Sequence, residues 1–175
     1  MDRKNLRNIE GRPWSGGTTR EIYRDQEDFN LRISSAVIDP GASKFSDYSG
    51  YRRILKVLEG EVNLRKQEEI IKLDRERVLL FGGEEDIYSE SSSSVLDFNV
   101  IFREDRVKPS FLEVRKKATL ITRDIVFILS LEEGSKVEFK GSCSTLDRYD
   151  LFLLREEEEK HMELIGKFIV VTWNI

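Results

Sequence analysis

Apolar and polar residues alternate with a period of two through most of the chain. In "FNLRISSAVI", Phe29, Leu31, Ile33 and Val37 share one face of an extended strand, while Asn30, Arg32 and Ser34 share the other. "SVLDFNVIFRE" repeats the pattern, with Leu96, Phe98, Val100 and Phe102 opposed to Asp97, Asn99 and Arg103. "RRILKVLEGEVNLR" predicts two strands joined at Glu59–Gly60–Glu61, and "RVLLFGGEED" predicts a strand ended by a Gly-Gly turn. Beyond Pro109 the rhythm resumes in "ATLITRDIVFILSLEEG", "SKVEFKG", "YDLFLLRE" and "KFIVVTWNI". Only "SFLEVRKKA" has a spacing that predicts a short helix. Short strands parted by Gly, Ser, Asp and Glu turns imply an all-β sandwich or barrel. Two strand-rich stretches meet near residue 105, so the expected organisation is one compact unit over 1–175 with lobes at 1–105 and 106–175.

Composition narrows the function classes. A chain of 175 residues buries a core without disulfides or a structural metal. Hydrophobic residues at 39% and charged residues at 35% predict a heavily charged surface around that core. The net charge is −4, with acids and bases interspersed, so no basic block exists to follow a nucleic-acid backbone. No apolar run approaches the roughly 18 residues of a membrane helix, and the opening "MDRKNLRNIE" is too polar for a signal peptide. With Cys143 as the sole cysteine, the expected location is the cytoplasm, with no intramolecular disulfide. His161 is the sole histidine, which denies the chain the usual three- or four-ligand transition-metal sets, and no EF-hand spacing occurs. No metal and no cofactor are expected. His161, after the charge run "REEEEK", reads as a surface residue, and Cys143 in "GSCST" as a small spacer.

The candidate chemistry lies on the polar strand faces. Arg32 and Ser34 stand opposite the apolar face of one strand, and Asp97 and Asn99 do so on another. Such faces either meet solvent or converge inside a cup, with arginine as the fixed cation for a carboxylate. The strand pattern leaves both readings open. "RPWSGGTTREI" (residues 12–22) is neither strand-like nor helical. Its adjacent glycines read as a tight turn rather than a phosphate loop, since no Gly-Lys-Ser/Thr follows.

The order of the segments adds a resemblance. Trp14 followed by Thr19-Arg20-Glu21, Arg32 followed by Ser34, Phe45 and Ser46 ahead of Gly50, Arg53 before Leu58-Glu59-Gly60, and Asp97-Phe98-Asn99 together resemble the HutD/Ves family. The resemblance covers residues 14–103 closely; the rest is similar in rhythm alone. The short "SGG" after Trp14 and Ser49 before Gly50 depart from the family pattern. The resemblance implies a cupin-like (RmlC-like) fold in two lobes, a bicupin, without the metal-binding histidine cluster. It implies a pocket in the N-terminal lobe formed by Arg53, Arg32, Ser34, Asp97, Asn99, Trp14, Thr19, Arg20 and Glu21. Arg53 would clamp a carboxylate, Arg32 would act as second cation or support, and Arg20 and Glu21 would serve as anchors or as structural ion pairs.

The function implied is metal-free binding of a small anionic metabolite, formylglutamate-like, with a regulatory role. Two alternatives stand beside it. One is a cofactor-free enzyme with Asp97 as base, which the acidifying effect of a neighbouring arginine disfavours. The other is an interaction module, in which the apolar terminal strand "KFIVVTW" pairs across a subunit interface, leaving a homodimer open. No membrane partner is expected.

Overall fold

The computed structural model describes residues 3–155 and 158–174; Glu156 and Glu157, inside the run "REEEEK", lie outside the described residues. Nineteen strands, numbered β1 to β19 in chain order, and one 3-10 turn at Leu6–Asn8 form the regular structure described. Among the described residues no helix is long and apolar enough to cross a membrane. The strands fall into two compact units, Ile9–Arg106 and residues 3–8 with 107–174. The opening residues were expected in the first lobe. Instead β1 (Arg3–Asn5) pairs with β17 (Asp150–Leu154) in the second unit, where Arg3 forms an ion pair with Asp150.

In the first unit, β2 (Gly11–Trp14), β3 (Gly17–Arg24), β4 (Leu31–Ile38), β11 (Val95–Phe102), β6 (Arg52–Glu59) and β9 (Val78–Gly82) pair in that order into a six-stranded sheet. A second sheet has the order β5 (Gly41–Lys44), β10 (Ile87–Ser91), β7 (Val62–Lys66), β8 (Glu69–Leu73). Leu55, Val57, Phe81 and Val95 from the first sheet meet Val62, Leu64, Leu73 and Ile87 from the second in one buried cluster. That cluster is the core of a sandwich whose two inner faces supply alternate residues.

In the second unit, the larger sheet runs β1, β17, β14 (Ile125–Ser130), β19 (Phe168–Trp173), β12 (Ser110–Val114), and the smaller runs β13 (Lys117–Thr122), β18 (Lys160–Ile165), β15 (Ser135–Phe139), β16 (Ser142–Leu146). The order β4-β11-β6-β9 thus reappears as β12-β19-β14-β17, and β5-β10-β7-β8 as β13-β18-β15-β16. Each strand from β4 to β11 has its counterpart eight strands later. The two units therefore share one topology, with different fillings. In the second, Val126, Ile128, Phe168, Val170 and Val114 fill the interior with Phe152, Met162 and Leu164.

Three further expectations fail here. "RPWSGGTTREI", which shows no alternation, is a β-hairpin: it supplies most of β2 and the start of β3, which pair from Gly11–Arg20 to Trp14–Gly17. "SFLEVRKKA" is no helix: it forms β12 and the start of β13, and β12 pairs with β19 over five positions. A helix of nine residues is marginal in isolation, so a continuous ladder with a buried neighbour overrides the local spacing. The terminal strand β19 lies between β14 and β12, with both edges hydrogen-bonded. It has no free edge to offer a second subunit.

Gly17 fixes the entry into β3. Its φ is +147°, and a Cβ there would lie 1.9 Å from the Val37 carbonyl oxygen on β4. Gly17→Ala is expected to cost at least about 2 kcal/mol, from backbone strain and collision together. Urea unfolding of the variant checks this, and a midpoint equal to wild type contradicts so close an approach of the two strands.

Candidate functional site

One face of the six-stranded sheet turns toward the smaller sheet of its own unit. Along that face β4 presents Arg32, Ser34, Ala36 and Ile38, β11 presents Asp97, Asn99 and Ile101, and β6 presents Arg53, Leu55 and Val57. Register aligns them: Arg53 lies beside Ile101 and Ile101 beside Arg32, while Leu55 lies beside Asn99 and Asn99 beside Ser34. Ile38, Leu55 and Val57 join the core, and the polar residues, with Ala36 and Ile101, surround a cavity of about 220 Å³. That volume equals the share of roughly seven waters, the scale of a small metabolite. The opposite face of the same strands is also buried, with Ile33, Phe98 and Val100 fully enclosed. The polar faces thus do not meet open solvent; they converge in a cup.

Seven of the nine expected residues line this cavity: Arg53, Arg32, Ser34, Asp97, Asn99, Trp14 and Thr19. Arg20 and Glu21 do not. Strand alternation turns Arg20 to the face opposite Thr19. Glu21 is drawn aside by Arg24, whose Nε and Nη2 donate to it, and by Arg32, whose Nε donates to Oε2 at 2.7 Å. Those arginines, Arg24 first, hold the Glu21 carboxyl below its usual range despite burial. Glu21 therefore serves Arg32 from behind, neutralising its charge.

Arg53 is in a different state. It is 6% exposed, and no carboxylate lies within ion-pair distance of it among the described residues. Its Nη2 donates to Asn99 Oδ1 at 3.1 Å and its Nη1 reaches the Ser46 carbonyl at 3.4 Å. Its Nε is shielded from solvent and has no acceptor. The guanidinium lies 5.0 Å from the Phe45 ring, 5.1 Å from Phe81 and 5.6 Å from Tyr48. Aromatic faces stabilise a cation but do not neutralise it. Burial pulls the Arg53 pKa below its usual range, with the Asp97 charge opposing; a guanidinium nonetheless stays protonated in water's working range.

Asn99 links this cation to Asp97. Its Nδ2 donates to Asp97 Oδ2 at 2.9 Å, and the Ala36 backbone N–H donates to Asp97 Oδ1 at 2.7 Å. The sequence led us to expect an acidified carboxylate beside arginine. The reverse holds: burial pushes Asp97 up to about 7, outweighing the Ala36 N–H, the Arg53 charge and Asn99. Desolvation wins because Arg53 acts through an intervening amide rather than by direct contact.

Trp14 forms a wall of the cavity, and the glycines beside it make that position available. A Cβ at Gly16 would lie 2.4 Å from the indole ring, so the ring occupies the space that a side chain would take. Trp14 Nε1, like Arg53 Nε, is shielded and without an acceptor. Sequence reasoning missed Tyr48, Arg12 and Phe45 as lining residues. Tyr48 accepts from Arg32 Nη1 at 2.8 Å through its hydroxyl. The legible signal was aromatic density in "FSDYSGYRR", a loop without periodicity that leads into the Arg53 strand.

The other singled-out residues lie elsewhere. Cys143 on β16 and His161 on β18 are both exposed in the second unit, with His161 hydrogen-bonded to Glu159. Among the described residues no three His, Cys, Asp or Glu side chains come together as a metal site.

Comparison with known proteins identifies the family of the chain. The HutD family profile matches residues 6–171. The chain belongs to the HutD family. That family is linked to histidine utilisation. An uncharacterised 21.2 kDa protein from the hutC 3′ region of Pseudomonas putida is 26% identical, over 91% of this chain and 90% of its own. HutD from Pseudomonas fluorescens SBW25, in a formate-condition structure, superposes with a TM-score of 0.88 at 22% identity, over 99% of this chain and 97% of its own. A cupin 2 conserved barrel domain protein from Leptotrichia buccalis gives 0.66 at 10% identity, over 99% and 96%. The fold of this HutD-family chain is accordingly cupin-like.

The raised Asp97 pKa has a stability consequence with a definite sign. Between its ordinary 3.8 and about 7 the folded state holds a proton that the unfolded state has released. Its contribution is therefore full below pH 4 and disappears as pH rises to 7. Glu21, whose pKa is lowered, acts oppositely, losing its contribution as pH falls below its ordinary value. Chemical unfolding across pH 4.5–8 is expected to show wild type losing stability toward neutrality relative to Asp97→Asn. Parallel curves for the two proteins contradict the protonated state assigned to Asp97.

Proposed function

We propose that this protein binds a small carboxylate metabolite in the cup, without a metal, and serves a regulatory rather than a catalytic role. One observation carries the reading: Arg53 is a buried cation, enclosed by aromatic rings, with no carboxylate paired to it. An enclosed charge without a counter-ion costs free energy that an incoming anion offsets. A bidentate carboxylate would use the free Nε and replace weak contacts with charge-assisted ones. Arg32, already neutralised by Glu21, supports from the side. Asn99 and Asp97 hold the Arg53 fork in orientation. The family's link to histidine utilisation favours an acidic intermediate of that pathway, formylglutamate-like, and the regulatory role rests on the same link.

A second reading has its own observation. Asp97 lines the cavity with a pKa of about 7, suited to proton transfer near neutrality. A cofactor-free reaction on the bound acid, with Asp97 as base, would use this group.

Thermal shift against formylglutamate, glutamate, urocanate, formate and common keto acids, each followed by NMR over hours, separates the readings. A ligand at a hundredfold excess over its Kd stabilises the protein by about 2.7 kcal/mol. A shift without chemical change supports the binding protein, and turnover lost in Asp97→Asn supports the enzyme. Arg53→Met is expected to abolish the shift while leaving stability equal to wild type or about 1 kcal/mol higher, because an unpaired buried charge is removed. Retained affinity in that variant overturns the role given to Arg53.

A further inference from the structure

Arg53 shares its cavity with a buried carboxylate that has no ion pair among the described residues. Asp97 lines the same space and is 3% exposed. Both of its oxygens are held as acceptors: Oδ1 takes the Ala36 N–H and Oδ2 takes Asn99 Nδ2. The Asn99 amide cannot turn round without setting its Nδ2 against the Arg53 fork, so Arg53 fixes which end of the amide Asp97 meets. Each carboxyl oxygen keeps a second lone pair, and a proton placed there turns Asp97 from acceptor to donor. Charged groups approach from the strands packed around it. β6 brings Arg53, with Lys56 on the opposite face; β4 brings Arg32 and β3 brings Glu21, which are paired with each other. β2 brings Arg12, exposed at the rim, and the 45–51 loop brings Tyr48, whose hydroxyl accepts from Arg32. No residue lining the cavity comes from the strands of the smaller sheet.

An anion that enters this cavity meets one uncommitted buried cation and one buried acid. Arg53 can neutralise the anion or balance an ionised Asp97, and not both. Two carboxylates enclosed together raise each other's affinity for a proton, because one proton relieves the repulsion. From this we infer that the cup takes its carboxylate ligand together with one proton, which Asp97 receives from solvent and donates as an O–H hydrogen bond to the ligand. The inference rests on the carboxylate-binding reading of the same cavity, and adds that affinity falls as pH rises. Burial by itself carries Asp97 to about 7, so the proton is already in place below neutrality and must be acquired above it. The arginines keep their charge through this range, and Glu21, held below its usual range, keeps its own. The coupling is reciprocal: the ligand raises the proton affinity of Asp97, and protonation tightens the ligand. An Asp97 that carries this proton contacts the ligand as a donor and is not free to act as a base on it.

Calorimetry of the full chain with formylglutamate, whose carboxyls stay ionised above about pH 6, tests this in phosphate and in Tris. The two buffers release protons with different heats, so the difference between them counts the protons taken up. Wild type is expected to take up almost none at about pH 6 and close to one at about pH 8, and to bind at least about tenfold more weakly at about pH 8.5 than at about pH 6.5. Asp97→Asn, whatever its absolute affinity, is expected to take up none and to bind with one affinity across that range. Tyr48→Phe is expected to keep the wild-type uptake. The carboxyl carbon signal of Asp97 in wild type, followed by NMR on the alkaline side of neutrality, is expected to move to its protonated position as ligand is added, which reads the proton without any substitution. Should another acid of the set named above bind in place of formylglutamate, the same measurements apply to it. Binding without proton uptake, uptake undiminished in Asp97→Asn, or an Asp97 signal that stays ionised overturns the coupling and leaves carboxylate binding standing. Failure of every acid in the set to bind on the acid side of neutrality overturns both readings together.

Discussion

The first unit is organised around the cost of enclosing the Arg53 charge. A guanidinium removed from water needs hydrogen-bond acceptors, polarisable neighbours or an anion. The protein supplies the first two incompletely: one amide oxygen, one long carbonyl contact and three aromatic faces. The nearest carboxylate, Asp97, is kept one residue removed by Asn99, and enclosure carries its pKa up rather than down. A direct Arg53–Asp97 pair would neutralise the cavity. The interposed amide keeps the cation uncommitted while fixing its direction, and leaves neutralisation to whatever anion enters.

Duplication shows how narrowly this depends on side chains. The second unit repeats the strand order, but its inner rows carry Val126, Ile128, Val170 and Phe168 on the strands that hold Arg53, Asp97 and Asn99 in the first. Apolar side chains interdigitate and close the interior to native density. Charged and amide side chains, which must keep partners at hydrogen-bond distance, hold space between the sheets instead. One backbone plan thus gives a filled lobe and a hollow one. The filled lobe also takes in β1, which covers the edge of β17; β9, its counterpart in the first unit, has no such cover within its sheet.

Support residues outnumber the groups free to bind. Glu21 spends its charge on Arg24 and Arg32, Tyr48 orients Arg32, and Gly16 makes room for the indole of Trp14. Without these, the cavity would hold several free cations and no defined shape. With them, Arg53 is left as the buried cation with no carboxylate paired to it among the described residues.

Alternation in the sequence determined the strands, the all-β class and the residues sharing each face, because side chains on a strand point to opposite sides by covalent geometry alone. The absence of a histidine cluster and the ordered motifs from Trp14 to Asn99 were equally legible. Tertiary structure decided the rest. Which face is concave depends on where the second sheet packs, and no local period records that. Whether Asp97 is acidified or raised depends on burial and on the amide beside it, both set by register between β11 and its neighbours. Residues 110–114 became strand because β19 was there to pair with, and 117–118 because β18 was; Glu21 left the pocket because two arginines from different positions reached it first. Arg12, Phe45 and Tyr48 joined the site from a hairpin and a loop, where spacing carries no directional information and only the packed chain brings distant residues to one wall.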